Sequence, residues 1–147
     1  MDIKLKAALA IIKKNKQCSF VTVGADGTLN ARIMTNLFTE EARKGFFYFA
    51  TALNSRKAED IRKRKTAIIV FYGPANRGYV TVKGEAALVA DKKTKDRFWQ
   101  ESWKAFWPDG RSSENYCIVK VRAVEAELLQ GRRGEKEYFY FEQTVLP

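Results

Sequence analysis

The chain has 147 residues, with 27 lysines and arginines against 17 aspartates and glutamates, so its formal net charge is +10. The length fits one domain, and a hydrophobic fraction of 46% with 10 Phe, 6 Tyr and 3 Trp excludes a disordered chain. The absence of histidine excludes Ser-His-Asp and Cys-His catalytic systems and histidine zinc sites, and we expect no metal site. No apolar run approaches the roughly 20 residues that span a bilayer, and no signal peptide is evident, so we expect a cytoplasmic protein without a membrane partner.

The first third of the chain predicts a helix and three strands. Apolar residues at helical spacing among lysines predict an amphipathic helix from residue 3 to residues 14–16. Residues 19–23 and 29–34 flank a turn with the Asp26-Gly27 pair, which favours positive φ, and predict a β-hairpin. The apolar run at residues 45–51 predicts a third strand.

The middle of the chain predicts a short helix at residues 56–65 and a fourth strand at residues 66–72. Gly73-Pro74-Ala75-Asn76 then breaks the chain before a long fifth strand at residues 78–89. Gly84 lies inside this strand, where a glycine is typical of a bulge or bend.

The last third predicts one helix and two strands. Aromatic residues at helical or near-helical spacing predict a helix over residues 92–106, which Trp107-Pro108-Asp109-Gly110 ends. Alternating residues predict a sixth strand at 117–129, and a turn at 132–134 precedes a last strand at 138–141. Six or seven strands with short helices indicate a β-rich α+β domain, either an antiparallel barrel or an open sheet covered by helices.

A candidate anion site lies at the start of the second helix. Ser55, Arg56 and Lys57 stand where free backbone N–H groups and the helix dipole favour a negative ligand such as phosphate. Arg32 on the second strand converges on them if that strand lies beside the third. The alternative is that Ser55 only caps the helix, with Arg56 and Lys57 in solvent.

Several segments in this order and spacing resemble the pyridoxamine 5'-phosphate oxidase-like FMN-binding split barrels, in particular their general stress protein branch. The resemblance runs from about Phe20 to Glu127. It is carried by Thr22-Val23-Gly24-Ala25-Asp26-Gly27, Ala31-Arg32-Ile33-Met34, Phe47-Tyr48-Phe49-Ala50-Thr51 with Ser55-Arg56-Lys57, Tyr79-Val80-Thr81-Val82-Lys83-Gly84, and Phe106-Trp107-Pro108-Asp109-Gly110.

The resemblance implies a single domain over residues 1–147 that forms a split barrel of six or seven antiparallel strands with short peripheral helices. It also implies a homodimer with FMN at the subunit interface. The residues expected to bind FMN fall into four groups: a phosphate group of Arg32, Lys57 and Ser55 or Arg56; the backbone of Ile33, Met34 and Thr35; a strand of Phe49, Ala50 and Thr51; and Tyr79, which lies where the oxidases often carry a glutamine. Trp107, with Trp103 and Phe106, is expected to form an aromatic wall over the flavin, and ordinary core packing is the alternative for these three.

The chain departs from true pyridoxamine 5'-phosphate oxidases, which use an Arg and His pair near the C-terminus. It has no histidine, and Arg64-Lys65 stands where family members often carry Asn-Pro, so we do not expect vitamin B6 oxidation. The function expected from the resemblance is an FMN-dependent oxidoreductase acting on a small molecule. The alternatives are a non-enzymatic flavin-binding stress or sensor protein, and a basic nucleic-acid-binding β-barrel with aromatic stacking platforms.

Overall fold

The structure, a computed structural model, describes residues 2–73, 78–130 and 135–141. These residues form three α-helices and seven β-strands, in the order α1 (Ile3–Lys14), β1 (Gln17–Val23), β2 (Leu29–Thr35), β3 (Phe46–Ala52), α2 (Arg56–Lys63), β4 (Thr66–Gly73), β5 (Gly78–Val89), α3 (Lys92–Phe98), β6 (Tyr116–Gln130) and β7 (Glu135–Tyr140). Three short 3-10 helices lie between them at Glu40–Lys44, Glu101–Ala105 and Gly110–Ser112.

All seven predicted strands and the first two predicted helices are confirmed, with ends that differ by at most three residues. The 3-10 helix at Glu40–Lys44 was not predicted. The predicted chain break at residues 74–76 and the turn at 132–134 lie outside the described residues.

The strands form one antiparallel sheet in the order β2-β1-β4-β5-β6-β3, and β7 also pairs with β6. The first half of β6 pairs with β3, and its second half pairs with β7. The sheet curls so that its two edge strands, β2 and β3, approach each other. Just beyond the end of β2, the Leu37 N–H donates to the Tyr48 carbonyl oxygen of β3 at 3.1 Å. The expected antiparallel barrel is therefore confirmed as a curled sheet that stays open along the β2 and β3 edges.

The predicted irregularity at Gly84 is confirmed as a β-bulge. The register between β5 and β6 shifts at Lys83 and Gly84, so that Val124 on β6 is the extra residue. A Cβ atom at Gly84 would lie 2.3 Å from the Arg122 carbonyl oxygen and 2.9 Å from the Ala123 Cα. The two backbones approach this closely only because residue 84 has no side chain.

The main hydrophobic core fills the inside of the curl. Its members alternate along the strands, with Phe20, Phe49, Phe71, Val80 and Val82 all fully buried. The buried face of α1 (Ala8, Leu9, Ile11 and Ile12) packs into the same cluster against β4 and β5. None of the helices in the described part of the chain is long and apolar enough to cross a membrane.

A second cluster, here called the outer aromatic cluster, lies on the other face of β3 and β6. Its buried members are Leu37, Tyr48, Phe98, Trp107, Tyr116 and Ile118, with Trp99 and Trp103 packed against them. Side chains alternate along β3, so Tyr48 lies on the outer face of the sheet while Phe47 and Phe49 lie on the inner face.

The predicted helix over residues 92–106 is wrong beyond Phe98. Trp99 is extended (φ −57°, ψ 135°), and the chain resumes as the 3-10 helix at Glu101–Ala105. The rings of Trp99, Trp103 and Trp107 all lie 5.0–5.9 Å from the Tyr116 ring. Trp99, Trp103 and Trp107 thus pack on one tyrosine although the chain between them leaves the α-helical conformation.

Candidate functional site

A cavity of about 620 Å³ lies at the opening between the β2 and β3 edges, and we call it the edge cavity. It is lined by residues of both strands, of the start of α2 and of the segment that follows α3: Ile33, Met34, Thr35, Ala50, Thr51, Ala52, Lys57, Trp103, Ala105, Phe106, Trp107 and Asn115. A cavity of this size that combines aromatic and aliphatic side chains with polar groups is typical of a site for a small organic molecule or cofactor.

Ser55 is the N-cap of α2. Its Oγ accepts from the Ala58 N–H at 3.3 Å and donates to the Ala52 carbonyl oxygen at 2.7 Å. The Thr51 hydroxyl lies 3.3 Å from the same Oγ. Ser55 thus caps the helix, and its hydroxyl proton is already engaged within the protein. The cap also holds the start of α2 beside Thr51 and Ala52, at the wall of the edge cavity.

The Arg32 guanidinium is held by oxygens of its own hairpin. Its Nη1 donates to the Thr22 hydroxyl at 2.8 Å, the Asn30 carbonyl at 2.9 Å and the Phe20 carbonyl at 3.3 Å. Its Nη2 lies 4.0 Å from Asp60 Oδ2, and the side chain is 19% exposed. One nitrogen of Arg32 is therefore saturated by the protein, while the rest of the group stays partly accessible.

Asp60 on α2 belongs to the Arg32 network and was not among the site residues expected from the sequence. It is buried, and its Oδ2 accepts from the Thr22 hydroxyl at 2.7 Å and the Asn30 amide at 2.9 Å. Because Thr22 and Asn30 also contact Arg32, the carboxylate and the guanidinium share one hydrogen-bond network. The available signal was an aspartate between Ala58 and Ile61, on the helix face that packs inward.

Arg32, Arg56 and Lys57 form a cluster of three cations with one nearby carboxylate, Asp60, so the local charge is +3 −1 = +2. Burial lowers the pKa of Lys57, and the Arg32 charge lowers it further. Burial also lowers the pKa of Arg32; the Asp60 carboxylate opposes that shift and the Arg56 charge adds to it. Mutual repulsion of this kind is relieved when an anion binds, so the cluster is suited to a dianion.

The aromatic wall predicted from the sequence lines the edge cavity. Trp107 is buried and packs on Tyr116, and it also lines the cavity, so the packing and lining roles both apply to it. Phe106 lines the cavity too but is 74% exposed. Ile33, on the opposite side, is 63% exposed.

Phe49 and Tyr79 are not brought to the edge cavity. Phe49 is fully buried inside the barrel, where its ring packs on Phe20 with centroids 4.9 Å apart. Tyr79 lies on β5, and its hydroxyl donates to Glu127 on β6 at 3.1 Å. Asn115 is the polar residue of the cavity lining that the sequence did not indicate.

Comparison of the chain with known protein families identifies its family. The model of the family described as pyridoxamine 5'-phosphate oxidase like matches residues 4–143. The chain belongs to this family. The family resemblance predicted from the sequence is thereby confirmed, and the edge cavity is a feature of a pyridoxamine 5'-phosphate oxidase-like protein.

Solved structures show the same split-barrel fold. A Clostridium acetobutylicum protein related to general stress protein 26 has a TM-score of 0.80 at 18% identity, with 95% of this chain and 96% of that chain covered. A pyridoxamine 5'-phosphate oxidase-related, FMN binding protein from Nostoc punctiforme has a TM-score of 0.68 at 16% identity, covering 97% and 98%. A heme binding protein from Mycobacterium smegmatis has a TM-score of 0.68 at 12% identity, covering 95% and 59%. Comparison with curated proteins gives no match.

Proposed function

We propose that this family member is an FMN-binding flavoprotein and that the edge cavity is its cofactor site. The observation that carries the proposal is the position of Lys57, which lines the cavity and also belongs to the cation cluster with Arg32 and Arg56. FMN combines a planar ring with a phosphate dianion. The site offers a cavity with an aromatic wall next to a cluster with a local charge of +2.

The residues present fit FMN group by group. Lys57, Arg32 and Arg56 are assigned to the phosphate. Hydrogen bonds between charged groups are stronger than neutral ones, and within the described residues Asp60 balances only one of the three positive charges. Ile33, Met34 and Thr35 with Ala50 and Thr51 are assigned to the flavin and ribityl chain, because both strand segments line the cavity. Ser55 acts through the helix cap rather than by donating its hydroxyl proton. Phe49 and Tyr79 are left out of the site within one subunit.

We assign a second copy of the chain to the mouth of the edge cavity. Ile33 and Phe106 are large hydrophobic side chains that line the cavity and are mostly exposed. Apolar surface of this kind is stabilised by burial against a partner at about 25 cal/mol per Å². A homodimer with FMN at the interface would bury both residues and exclude water from the ring.

FMN is favoured over haem by the residues available as ligands. Haem iron is held in proteins by histidine, cysteine, methionine or tyrosine. The chain has no histidine, and both of its cysteines, Cys18 and Cys117, are buried. Among the methionines and tyrosines of the described residues, Met34 alone lines the edge cavity. The cation cluster fits the phosphate dianion of FMN.

The proposed activity is that of an oxidoreductase acting on a small organic molecule. Bound FMN would supply the redox chemistry, while the protein binds the phosphate, orients the ring and excludes water. A flavin-binding stress or sensor protein would use the same site without turnover. The two functions differ only in whether the bound flavin is reduced and reoxidised by external reactants at a useful rate.

The experiment is the visible absorption spectrum of the purified protein, before and after denaturation and after reconstitution with FMN. The proposal expects flavin bands, release of about one FMN per chain, and a dimer by light scattering. A colourless protein that does not take up FMN, or one that instead shows a Soret band after incubation with haem, contradicts it. Anaerobic reduction of the loaded protein by nicotinamide dinucleotides, followed by reoxidation with candidate acceptors, then separates an enzyme from a sensor.

A further inference from the structure

A cavity of about 360 Å³ lies where the start of α3 meets the 3-10 helix at Gly110–Ser112, and we call it the α3 cavity. Its volume is within the range of about 300–1,000 Å³ that is usual for small-ligand sites. It shares no lining residue with the edge cavity. The lining residues are Ala90, Lys92, Lys95, Asp96, Arg111 and Ser112.

Lys95 is the buried cation of the α3 cavity, with 9% of its surface exposed. Its Nζ donates to the Ser113 carbonyl oxygen at 2.8 Å. Within the described residues this carbonyl is the one hydrogen-bond acceptor for Nζ, although an ammonium group has three N–H donors. Because a buried charge is costly unless it is paired and hydrogen-bonded, the Lys95 ammonium is suited to an anionic ligand.

The protein holds the Lys95 ammonium at the cavity wall. The Tyr116 hydroxyl donates to the Lys95 carbonyl oxygen at 2.9 Å, and the Tyr116 ring centre lies 5.4 Å from Nζ. The hydrogen bond to Ser113 brings Nζ to the chain segment that also supplies Arg111 and Ser112 to the lining. Little ordering of this side chain is left to be done when a ligand binds, which lowers the cost of binding.

Arg111 supplies a second cation to the α3 cavity. Its Nη2 lies 3.9 Å from Glu101 Oε1, and its side chain is 52% exposed, so this ion pair contributes little. Glu101 also has a closer partner, because its Oε2 lies 3.1 Å from Lys104 Nζ. The Arg111 guanidinium is therefore available to a ligand.

Asp96 is the one acidic residue of this lining, and it is paired with Lys92. The Lys92 Nζ lies 2.6 Å from Asp96 Oδ2. This hydrogen bond lowers the pKa of Asp96, and the charges of Arg111 and Lys95 lower it further. Three cations and one carboxylate leave the lining with a net charge of +2, which matches a dianion.

We propose that the α3 cavity binds a phosphate dianion, either free phosphate or the phosphate group of a small phosphomonoester. Lys95 and Arg111 donate to the phosphate oxygens, since hydrogen bonds between charged groups are the strong ones. The Ser112 hydroxyl adds a donor, because its own hydrogen bond to the Asp109 carbonyl is long, at 3.4 Å. The site is separate from the Lys57 cluster and does not depend on the proposed FMN function.

The test is a titration of the isotope-labelled protein with inorganic phosphate, with glycerol 3-phosphate and with glycerol, followed by amide NMR spectra. It is done at constant ionic strength and slightly alkaline pH, where phosphate is a dianion, both with and without FMN. We expect the two phosphates to shift the amide signals of residues 111–113 and glycerol to leave them unchanged. Tighter binding of glycerol 3-phosphate identifies a phosphomonoester as the ligand, and tighter binding of inorganic phosphate identifies free phosphate.

Three variants locate the site. R111Q should weaken the binding of both phosphates about tenfold, and K95M should weaken it further because Lys95 is buried. R111Q alters an exposed side chain, so it keeps the test valid if K95M does not fold. The matched control is K93Q, which removes an exposed lysine of α3 that does not line the cavity.

The proposal is overturned if neither phosphate shifts residues 111–113, or if K93Q weakens binding as much as R111Q does. It is also overturned if the shifts lie instead at residues 32, 56 and 57 and disappear in K57A, because phosphate then occupies the cluster assigned to FMN. Failure of the FMN function looks different. In that case FMN does not bind, while the phosphate-dependent shifts at residues 111–113 persist.

Discussion

Replacing Lys57 with alanine should weaken the binding of FMN and leave the binding of riboflavin unchanged. Riboflavin has the same ring and ribityl chain but lacks the phosphate. Lys57 is the most direct probe of the phosphate group, because it lines the edge cavity and makes no hydrogen bond or ion pair within the described residues. Arg32 is less suitable, since its removal would also take a hydrogen bond from Thr22 and a nearby positive charge from Asp60.

The expected magnitude follows from the type of interaction. A hydrogen bond to a charged group contributes about 1.5–3 kcal/mol, which corresponds to about 10- to 150-fold weaker FMN binding in K57A. The cofactor-free protein should not lose stability. Burial and the Arg32 charge both lower the pKa of Lys57, so the ammonium group is disfavoured there until an anion binds. Its removal should therefore leave the melting temperature of the cofactor-free protein unchanged or slightly raised.

The assay is a fluorescence titration of both flavins with wild type, K57A and K93A at neutral pH. Lys93 is an exposed residue of α3 and serves as the matched control. The reasoning is refuted if K57A binds FMN as tightly as K93A does. It is equally refuted if K57A weakens FMN and riboflavin by the same factor, because Lys57 would then contact the ring or support the cavity rather than the phosphate.

Two further outcomes are expected. FMN affinity of the wild type should fall as the pH rises through the lowered pKa of Lys57, because the bound phosphate favours the ammonium form and binding then requires proton uptake. K57R should bind FMN with little change over the same alkaline range, because arginine stays charged. Parallel affinity curves for the two proteins would contradict this. G84A should destabilise the fold by about 3 kcal/mol and lower the melting temperature by about 6–12 °C, because the new Cβ would meet the Arg122 carbonyl at 2.3 Å. G27A, at a turn glycine with φ +86° and open space around its Cα, should cost less, and equal losses in thermal melts would show that the backbones at the bulge can separate.

The regular elements were predictable because their signals are local. The Asp26-Gly27 turn and the flanking alternation define the hairpin of β1 and β2, and Gly27 indeed has φ +86°. The segment of α3 and the 3-10 helix that follows was not predictable in the same way. Trp99 and Trp103 have helical spacing, and their common contact with Tyr116 is non-local, so the sequence pattern does not indicate that the helix ends at Phe98.

The candidate site was predictable only in part. Lys57 was correctly associated with Ala50 and Thr51, because the end of a strand and the start of the next helix are close in the chain. Phe49 was associated with the same site, yet it points into the core. The run from Phe46 to Thr51 is apolar on both faces of β3, so its alternation gives no indication of which face is interior.

The amino-acid sequence alone determined the strands, the first two helices, the position of the bulge at Gly84 and the family resemblance, since each depends on residues that are neighbours in the chain or occur at characteristic spacing. Only the tertiary structure showed that Arg32 shares a hydrogen-bond network with Asp60, that the Ser55 hydroxyl is hydrogen-bonded within the helix cap, and that β2 and β3 meet across an open edge. The physical reason is that the two edge strands are linked only through the curl of the whole sheet. The distance between them depends on the twist accumulated over every intervening strand, and no local pattern encodes that sum.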